Sequence, residues 1–265
     1  MESTNQLARN SQASLHFKRL GEGFPVVILH GLFGSSNNWM SIGRALADSY
    51  SVFLVDQRNH GRSFHSDRHS FRLMAEDLRN LLQQEGLDRI HLLGHSMGGK
   101  TAMTFALRYQ DLVRKLVVVD IAPRPYPPGH DTILESLCRL DLKTIHSRQE
   151  AEQRLAADIP ELRVRQFLLT NLRRDNQGRF EWKMNLKSLR RNYSEITKGV
   201  VADLASPVPA LFVRGERSNY MSQKDLAGIR RLFLNAELET ISGAGHWVHA
   251  DSPERFLAAV TNFLA

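Results

Sequence analysis

The sequence predicts an α/β fold in which a mostly parallel central sheet is flanked by helices and interrupted by a helical insertion. Short aliphatic runs bounded by Gly, Pro or Asp recur along the chain, as strands covered on both faces require. Segments with helical apolar spacing separate them, and such alternation builds a parallel sheet with right-handed crossovers. The alternation stops between Ile121 and Pro207 and then resumes, which marks an excursion inserted between two strands of one sheet.

Residues 1–14 are polar and read as a flexible tail, lacking the apolar stretch of a signal peptide. Leu15–Leu20 alternates weakly and reads as a first strand; Gly21–Gly23 turns the chain into the buried strand Pro25–His30. Further strands are expected over Ser51–Asp56, Ile90–Gly94, Val113–Asp120, Pro209–Gly215 and Glu237–Ser242. Helices are expected over Trp39–Ala47, Met74–Leu82, Met97–Tyr109, Ser222–Phe233 and Pro253–Leu264, where Ser252 should cap and Pro253 should open the last one. Residues 15–120 and 206–265 thus form the core and residues 121–205 a cap. That cap opens on Pro123, Pro125, Pro127 and Pro128 and carries helical patterns over Asp131–Leu140, Ser147–Asp158, Glu161–Leu172 and Leu186–Leu204, with no strand.

Composition narrows the class. Of 265 residues, 42% are hydrophobic and one is cysteine, which permits a large core but no internal disulfide. The apolar runs fall far short of the roughly 20 residues of a membrane helix. These features point to the cytoplasm. The charge is +7, from 35 Lys+Arg and 28 Asp+Glu, and the cap holds a surplus of four of these cations. A solvated basic face or an attraction for anionic substrates explains this surplus. No basic-aromatic module or zinc-finger spacing speaks for nucleic acid.

The chemistry begins at Gly94-His-Ser96-Met-Gly98, a glycine-flanked serine between an expected strand and an expected helix. A sharp turn there lifts a serine hydroxyl above the strand ends, and the glycines keep side chains out of the turn. Such a hydroxyl needs a base. Among eleven histidines, His246 follows the last strand and so stands at the same sheet edge; His249 is a weaker base, and His95 packs under the turn. The acid that orients the imidazole should end a strand. Asp120 is preferred to Glu216, with Asp203 third, because Ser218 stands where an aspartate after strand Pro209–Gly215 would be expected. The loop His30-Gly-Leu-Phe-Gly34 can supply a backbone donor, Leu32 before Phe33, to pair with the Met97 amide as an oxyanion hole. His30 braces that loop. No HExxH or clustered Cys/His spacing proposes a metal.

These segments resemble the α/β-hydrolase fold superfamily from Leu15 to the C-terminus. Within it the chain is most similar to YbfF-type bacterial esterases and their mitochondrial relatives, on Val55-Asp-Gln-Arg-Asn-His-Gly-Arg-Ser63, Val119-Asp-Ile-Ala-Pro123, Phe180-Glu-Trp-Lys-Met-Asn-Leu186 and Gly245-His-Trp-Val-His249. The resemblance implies that Asp120 is the triad acid, and that acyl esters or acyl-CoA thioesters are hydrolysed without a cofactor. The expected site is Ser96, His246 and Asp120 with the Leu32 and Met97 amides. Phe33, Trp182, Tyr126 and Met184 are candidates for the acyl site, and Arg124 for an anionic leaving group or a surface ion pair. A C–C bond hydrolase or lyase of the same fold, and a catalytically silent binding protein, are the rival readings. Nothing in the sequence speaks to oligomeric state.

Overall fold

The computed structural model describes residues 14–265, so the expected tail lies, save for Ser14, outside the described residues. In chain order the strands are β1 (Phe17–Leu20), β2 (Phe24–Leu29), β3 (Tyr50–Val55), β4 (Ile90–His95), β5 (Val113–Val119), β6 (Leu172–Arg174), β7 (Phe180–Trp182), β8 (Ala210–Gly215) and β9 (Ala236–Ile241). Seven of them make one sheet in the order β1-β3-β2-β4-β5-β8-β9, in which only the β1–β3 pairing is antiparallel. The α/β-hydrolase architecture expected from the sequence is present. Around the sheet run α1 (Met40–Leu46), α2 (Phe71–Glu85) and α3 (Met97–Arg108). Between β5 and β8 come α4 (Asp131–Arg139), α5 (Arg148–Leu155), α6 (Leu162–Leu169), α7 (Leu186–Arg191) and α8 (Tyr193–Thr197). The chain then closes with α9 (Leu226–Arg230), α10 (Val248–Asp251) and α11 (Pro253–Leu264).

Because successive strand residues point to opposite faces, the aliphatic runs feed two cores. Val27, Leu92 and Val118 pack with Leu78 and Phe105 of α2 and α3. Their neighbours Val26, Leu93 and Val117 pack with Trp39, Ile42 and Phe256 on the other face. Helix α2 ends where its apolar stripe does, at Gly86 with φ 65°, a left-handed cap that glycine adopts without a Cβ penalty. Both cores lock the strands in register, so the loops after β2, β4, β5, β8 and β9 gather at one edge, where sites form on open α/β sheets.

The insertion sits over that edge. Leu134, Leu137, Leu155, Leu168 and Leu189 form a third core, continuous with Phe33, Phe71 and Met97 below. Its two ends are stitched together: the Tyr126 amide donates to the Thr197 carbonyl at 2.9 Å, and the Val200 amide to that of Pro123 at 2.7 Å.

Four expectations differ from the structure. The insertion carries a hairpin, β6–β7, where no strand is expected. Three residues per strand leave no alternation to read, and the turn between them is set by Asp175, whose carboxylate accepts the Gln177 and Arg179 amides. The helix expected over Leu186–Leu204 breaks into α7 and α8 and stops at Thr197, before Lys198 turns to ψ 153°. The segment Ser222–Phe233 forms a short 3-10 turn and α9 rather than one helix. Pro253 does open α11, but the Ser252 hydroxyl makes no capping hydrogen bond.

Candidate active site

Ser96 sits between β4 and α3 with φ 53° and ψ −118°, a left-handed conformation rare for a side chain of any size. The neighbours make the turn feasible. A Cβ on Gly94 would lie 2.2 Å from the Gly98 carbonyl oxygen, and one on Gly98 2.5 Å from the carbonyl oxygens of His30 and Leu29. Gly99 lies where a Cβ would meet the Ile121 side chain at 2.6 Å, so α3 packs against the sheet at glycine distance. The Ser96 side chain makes no hydrogen bond among the described residues and opens into a cavity of about 440 Å³ shared with His246.

The His246 ring is held from three sides. Its Nδ1 lies 2.7 Å from Asp120 Oδ2. A carboxylate only accepts, so Nδ1 carries the proton and Nε2 keeps its lone pair. Tyr220 stacks on the ring with centroids 4.0 Å apart at 24°. Below it, His95 Nε2 donates to the His246 carbonyl at 2.9 Å, while burial keeps His95 itself neutral, far below the usual imidazole range.

Asp120 is fully buried just past β5, with φ 50°. Its Oδ1 accepts the Gly215 amide at 3.0 Å, and its Oδ2 accepts both the His246 ring and the Ser218 hydroxyl. Glu216 instead faces solvent, where its carboxylate accepts the Gly243 amide at 2.8 Å and the Ser242 hydroxyl at 3.0 Å. The Gly243 amide, then Ser242, lowers its pKa. Glu216 thus shapes the turn that leads to His246 without touching the ring. Asp203 is exposed on the chain leaving the cap, outside the lining of both cavities at Ser96.

The loop after β2 is braced by two buried, neutral histidines. His30 Nδ1 donates to the Gly31 carbonyl at 2.8 Å and its Nε2 accepts the Gln57 amide at 3.1 Å. His60 Nδ1 donates to the Arg58 carbonyl at 3.0 Å, so its Nε2 accepts the Phe33 amide at 3.3 Å. Phe33, at φ 61°, is further fixed by Asn171 of the cap, which donates to its carbonyl at 2.7 Å. With the Phe33 amide occupied, the Leu32 amide has no acceptor among the described residues. The Met97 amide, first in α3, has none within its helix.

A second cavity of about 370 Å³ meets the first at Ser96, Leu32, His130 and Tyr220. Phe33 lines the first, and Tyr126 lines the second, its hydroxyl accepting from the Ala122 amide at 2.9 Å and donating to the Tyr220 carbonyl. Two expectations fail here. Trp182 packs against the cap core from β7, and Met184 is buried within it; neither lines either cavity. The hairpin turns both toward the cap interior. Arg124 lines the second cavity but pairs with Asp225 at 2.9 Å, and it spans the Tyr126 ring.

Sequence reasoning missed the Ser218 hydroxyl on Asp120, the Asn171 and His60 contacts to Phe33, and Lys100 in the second cavity. Only Lys100 left a local signal, being four residues past Ser96 and so on the same face of α3.

A family model described as alpha/beta hydrolase fold matches residues 25–137. The chain is 42% identical to the sn-1-specific diacylglycerol lipase ABHD11 of Mus musculus over 91% of its own length and 80% of that protein. It is 35% identical to the esterase YbfF of Escherichia coli (strain K12), covering 91% of this chain and 92% of that one. A solved marine microorganism esterase superposes with TM-score 0.93 at 42% identity, over 95% of this chain and 99% of the other. With 80% or more of each of these relatives covered, and a glycine-flanked serine at the sheet edge, the chain belongs to the α/β-hydrolase family, as a hydrolase of its YbfF and ABHD11 group.

Proposed function

We propose that the chain hydrolyses carboxylic esters through a Ser96–His246–Asp120 triad. The observation that carries this reading is the 2.7 Å contact of His246 Nδ1 with a buried Asp120, on a ring that shares a cavity with an elbow-strained Ser96. In the first step Ser96 Oγ bonds to the acyl carbon and its proton passes to His246 Nε2. The carbonyl oxygen becomes an oxyanion facing the Leu32 and Met97 amides, donors worth about 3–4 kcal/mol each in such sites. Collapse of the tetrahedral species breaks the bond to the leaving group, which takes the proton from His246. Water, deprotonated by the same nitrogen, then attacks the acyl carbon; the bond to Ser96 Oγ breaks, Oγ recovers its proton from His246, and the acid leaves. Asp120 holds the tautomer throughout and stabilises the imidazolium.

Thioesters are cleaved by the same steps with a thiol as the leaving group, and acyl-CoA thioesters belong to the proposal. Arg217 lines the first cavity, where a phosphate-bearing leaving group would run, beside Arg163, which pairs with Asp251 of the same wall at 2.5 Å, and the cap is net basic. The test is a panel of neutral ethyl and 4-nitrophenyl esters and acyl-CoA thioesters, with fluorophosphonate labelling of the wild type and Ser96→Ala. Turnover and labelling are expected only in the wild type. An unlabelled Ser96, or activity that survives its removal, sinks the triad reading. If acyl-CoA is a substrate, its kcat/KM should fall with salt more steeply than that of a neutral ester.

A further inference from the structure

The second cavity differs from the first in its charge. Met97, Ile121, Tyr126, Pro127 and Tyr193 give it a largely apolar wall, and no Asp or Glu lines it. Lys100 lies in that wall with 2% of its surface exposed. No carboxylate stands within salt-bridge distance of it among the described residues. Its Nζ donates to the Lys198 carbonyl, reaches that of Thr197 at 3.5 Å, and lies 4.7 Å from the centre of the Tyr126 ring. Carbonyls and ring faces partly solvate an ammonium but do not neutralise it. Desolvation accordingly pulls the Lys100 pKa down to about 7. The other cation there, Arg124, already has its acid in Asp225.

A buried cation without an anion is costly, so Lys100 holds its proton only in part at neutral pH, and a carboxylate placed beside it would supply the missing charge and keep the ammonium. The geometry also says which part of a substrate reaches it. The leaving group must stay near the proton on His246 Nε2, and His246 lines the first cavity but not the second. The acyl chain therefore extends the other way, toward Lys100. One helical turn separates Ser96 from Lys100, a rise of about 6 Å, which suits a short chain.

We infer that the second cavity receives a short acyl chain ending in a carboxylate, and that Lys100 pairs with it, so that the preferred substrates are half-esters or half-thioesters of dicarboxylic acids. This inference rests on the ester-hydrolase reading of Ser96 and adds the acyl class to it.

The experiment compares monoethyl esters of succinic, glutaric and adipic acids with ethyl butyrate, valerate and hexanoate, in wild type, Lys100→Met and Lys100→Arg, followed by acid release. In the wild type at least one half-ester should exceed its neutral counterpart in kcat/KM by about tenfold, the worth of one charge-assisted hydrogen bond. Lys100→Met should lower the half-ester to neutral-ester ratio by a similar factor, and Lys100→Arg should restore part of it. Should Lys100→Met not fold, inhibition of neutral-ester hydrolysis by free glutarate and adipate, against valerate and hexanoate, reads the same site in the wild type. A wild type that favours neutral esters at every length, or that monocarboxylates inhibit as well as dicarboxylates, overturns the inference while leaving the hydrolase reading intact. A wild type inert toward both series overturns both.

Discussion

The side-chain amide of Asn171, in the cap, donates to the backbone carbonyl of Phe33, in the loop beside Ser96, at 2.7 Å. On the other side of the same residue, the Phe33 amide is held by His60. Phe33 is thereby clamped at φ 61° between core and cap, and its neighbour Leu32 is left free to donate. The position of the cap is coupled to the proposed oxyanion site through one hydrogen bond.

That coupling predicts an isosteric effect. Asn171→Asp replaces a donor with an acceptor facing a carbonyl oxygen, so the clamp turns repulsive. An unpaired buried polar group costs about 1–3 kcal/mol, and kcat for an ester substrate should fall about tenfold or more. Asn171→Ala should lie between it and the wild type. Steady-state kinetics decide this; equal kcat in all three proteins would show that the loop keeps its shape without the cap.

The acid can be assigned by substitution. Asp120→Asn removes the group that fixes the His246 tautomer and should lower kcat by about 10⁴. Glu216→Gln, on an exposed side chain remote from the ring, should cost no more than a few-fold. The reverse order would move the acid to Glu216.

Ser218 marks a second place from which an acid can reach the ring, since its hydroxyl shares Asp120 Oδ2 with His246. Starting from Asp120→Ala, adding Ser218→Asp should recover about ten- to a hundredfold of the lost kcat, because a carboxylate then lies near the vacated position. No recovery would mean that the orientation from the β8 end is unproductive.

Acid should weaken the fold. Burial holds His69 and His249 down to about 3, with His249 stacked on Trp39 at 3.9 Å. Their folded pKa values lie below the unfolded value near 6.5, so the unfolded chain binds more protons between those limits. The stability from keeping them neutral is complete above pH 6.5 and drains away as pH falls toward 3. At pH 5 the loss amounts to about 2 kcal/mol per histidine. Urea midpoints at pH 7 and 5 test this, and His249→Phe, which keeps a ring on Trp39, should show the smaller shift. An identical shift in both proteins would remove His249 from the account.

The elbow glycines set a steric limit. Gly98→Ala places a methyl 2.5 Å from two backbone oxygens that belong to β2 and its following residue. Backbone cannot yield as a side chain tip does, so a loss of several kcal/mol and a Tm lower by many degrees are expected. Gly178→Ala, in the exposed hairpin turn at φ 79° with open space around it, should cost far less.

The sheet was legible because its signal is local. Aliphatic runs between breakers mark doubly covered strands, and β2 through β5 fall within a residue or two of where the runs predict them. The Gly94–Gly98 turn was legible for the same reason, since glycine spacing, strand and helix all lie within a few residues of Ser96. The cap was not. Its hairpin is too short for periodicity, α7 and α8 share one apolar pattern interrupted at Asn192, and Trp182 and Met184 are placed by that hairpin away from the cavities.

By itself the sequence determined the α/β fold, the turn that carries Ser96 and the loops on which His246 and Asp120 would lie, because each depends on neighbours in the chain. Only the tertiary structure decided what those loops bring together: Asp120 rather than Glu216 against the His246 ring, Asn171 on Phe33, and Lys100 without an acid in a cavity roofed by the cap. The first two of these contacts join residues 126 and 138 positions apart. No local pattern encodes such pairings, because they are fixed by how the strands register and how the cap packs on the edge of the sheet.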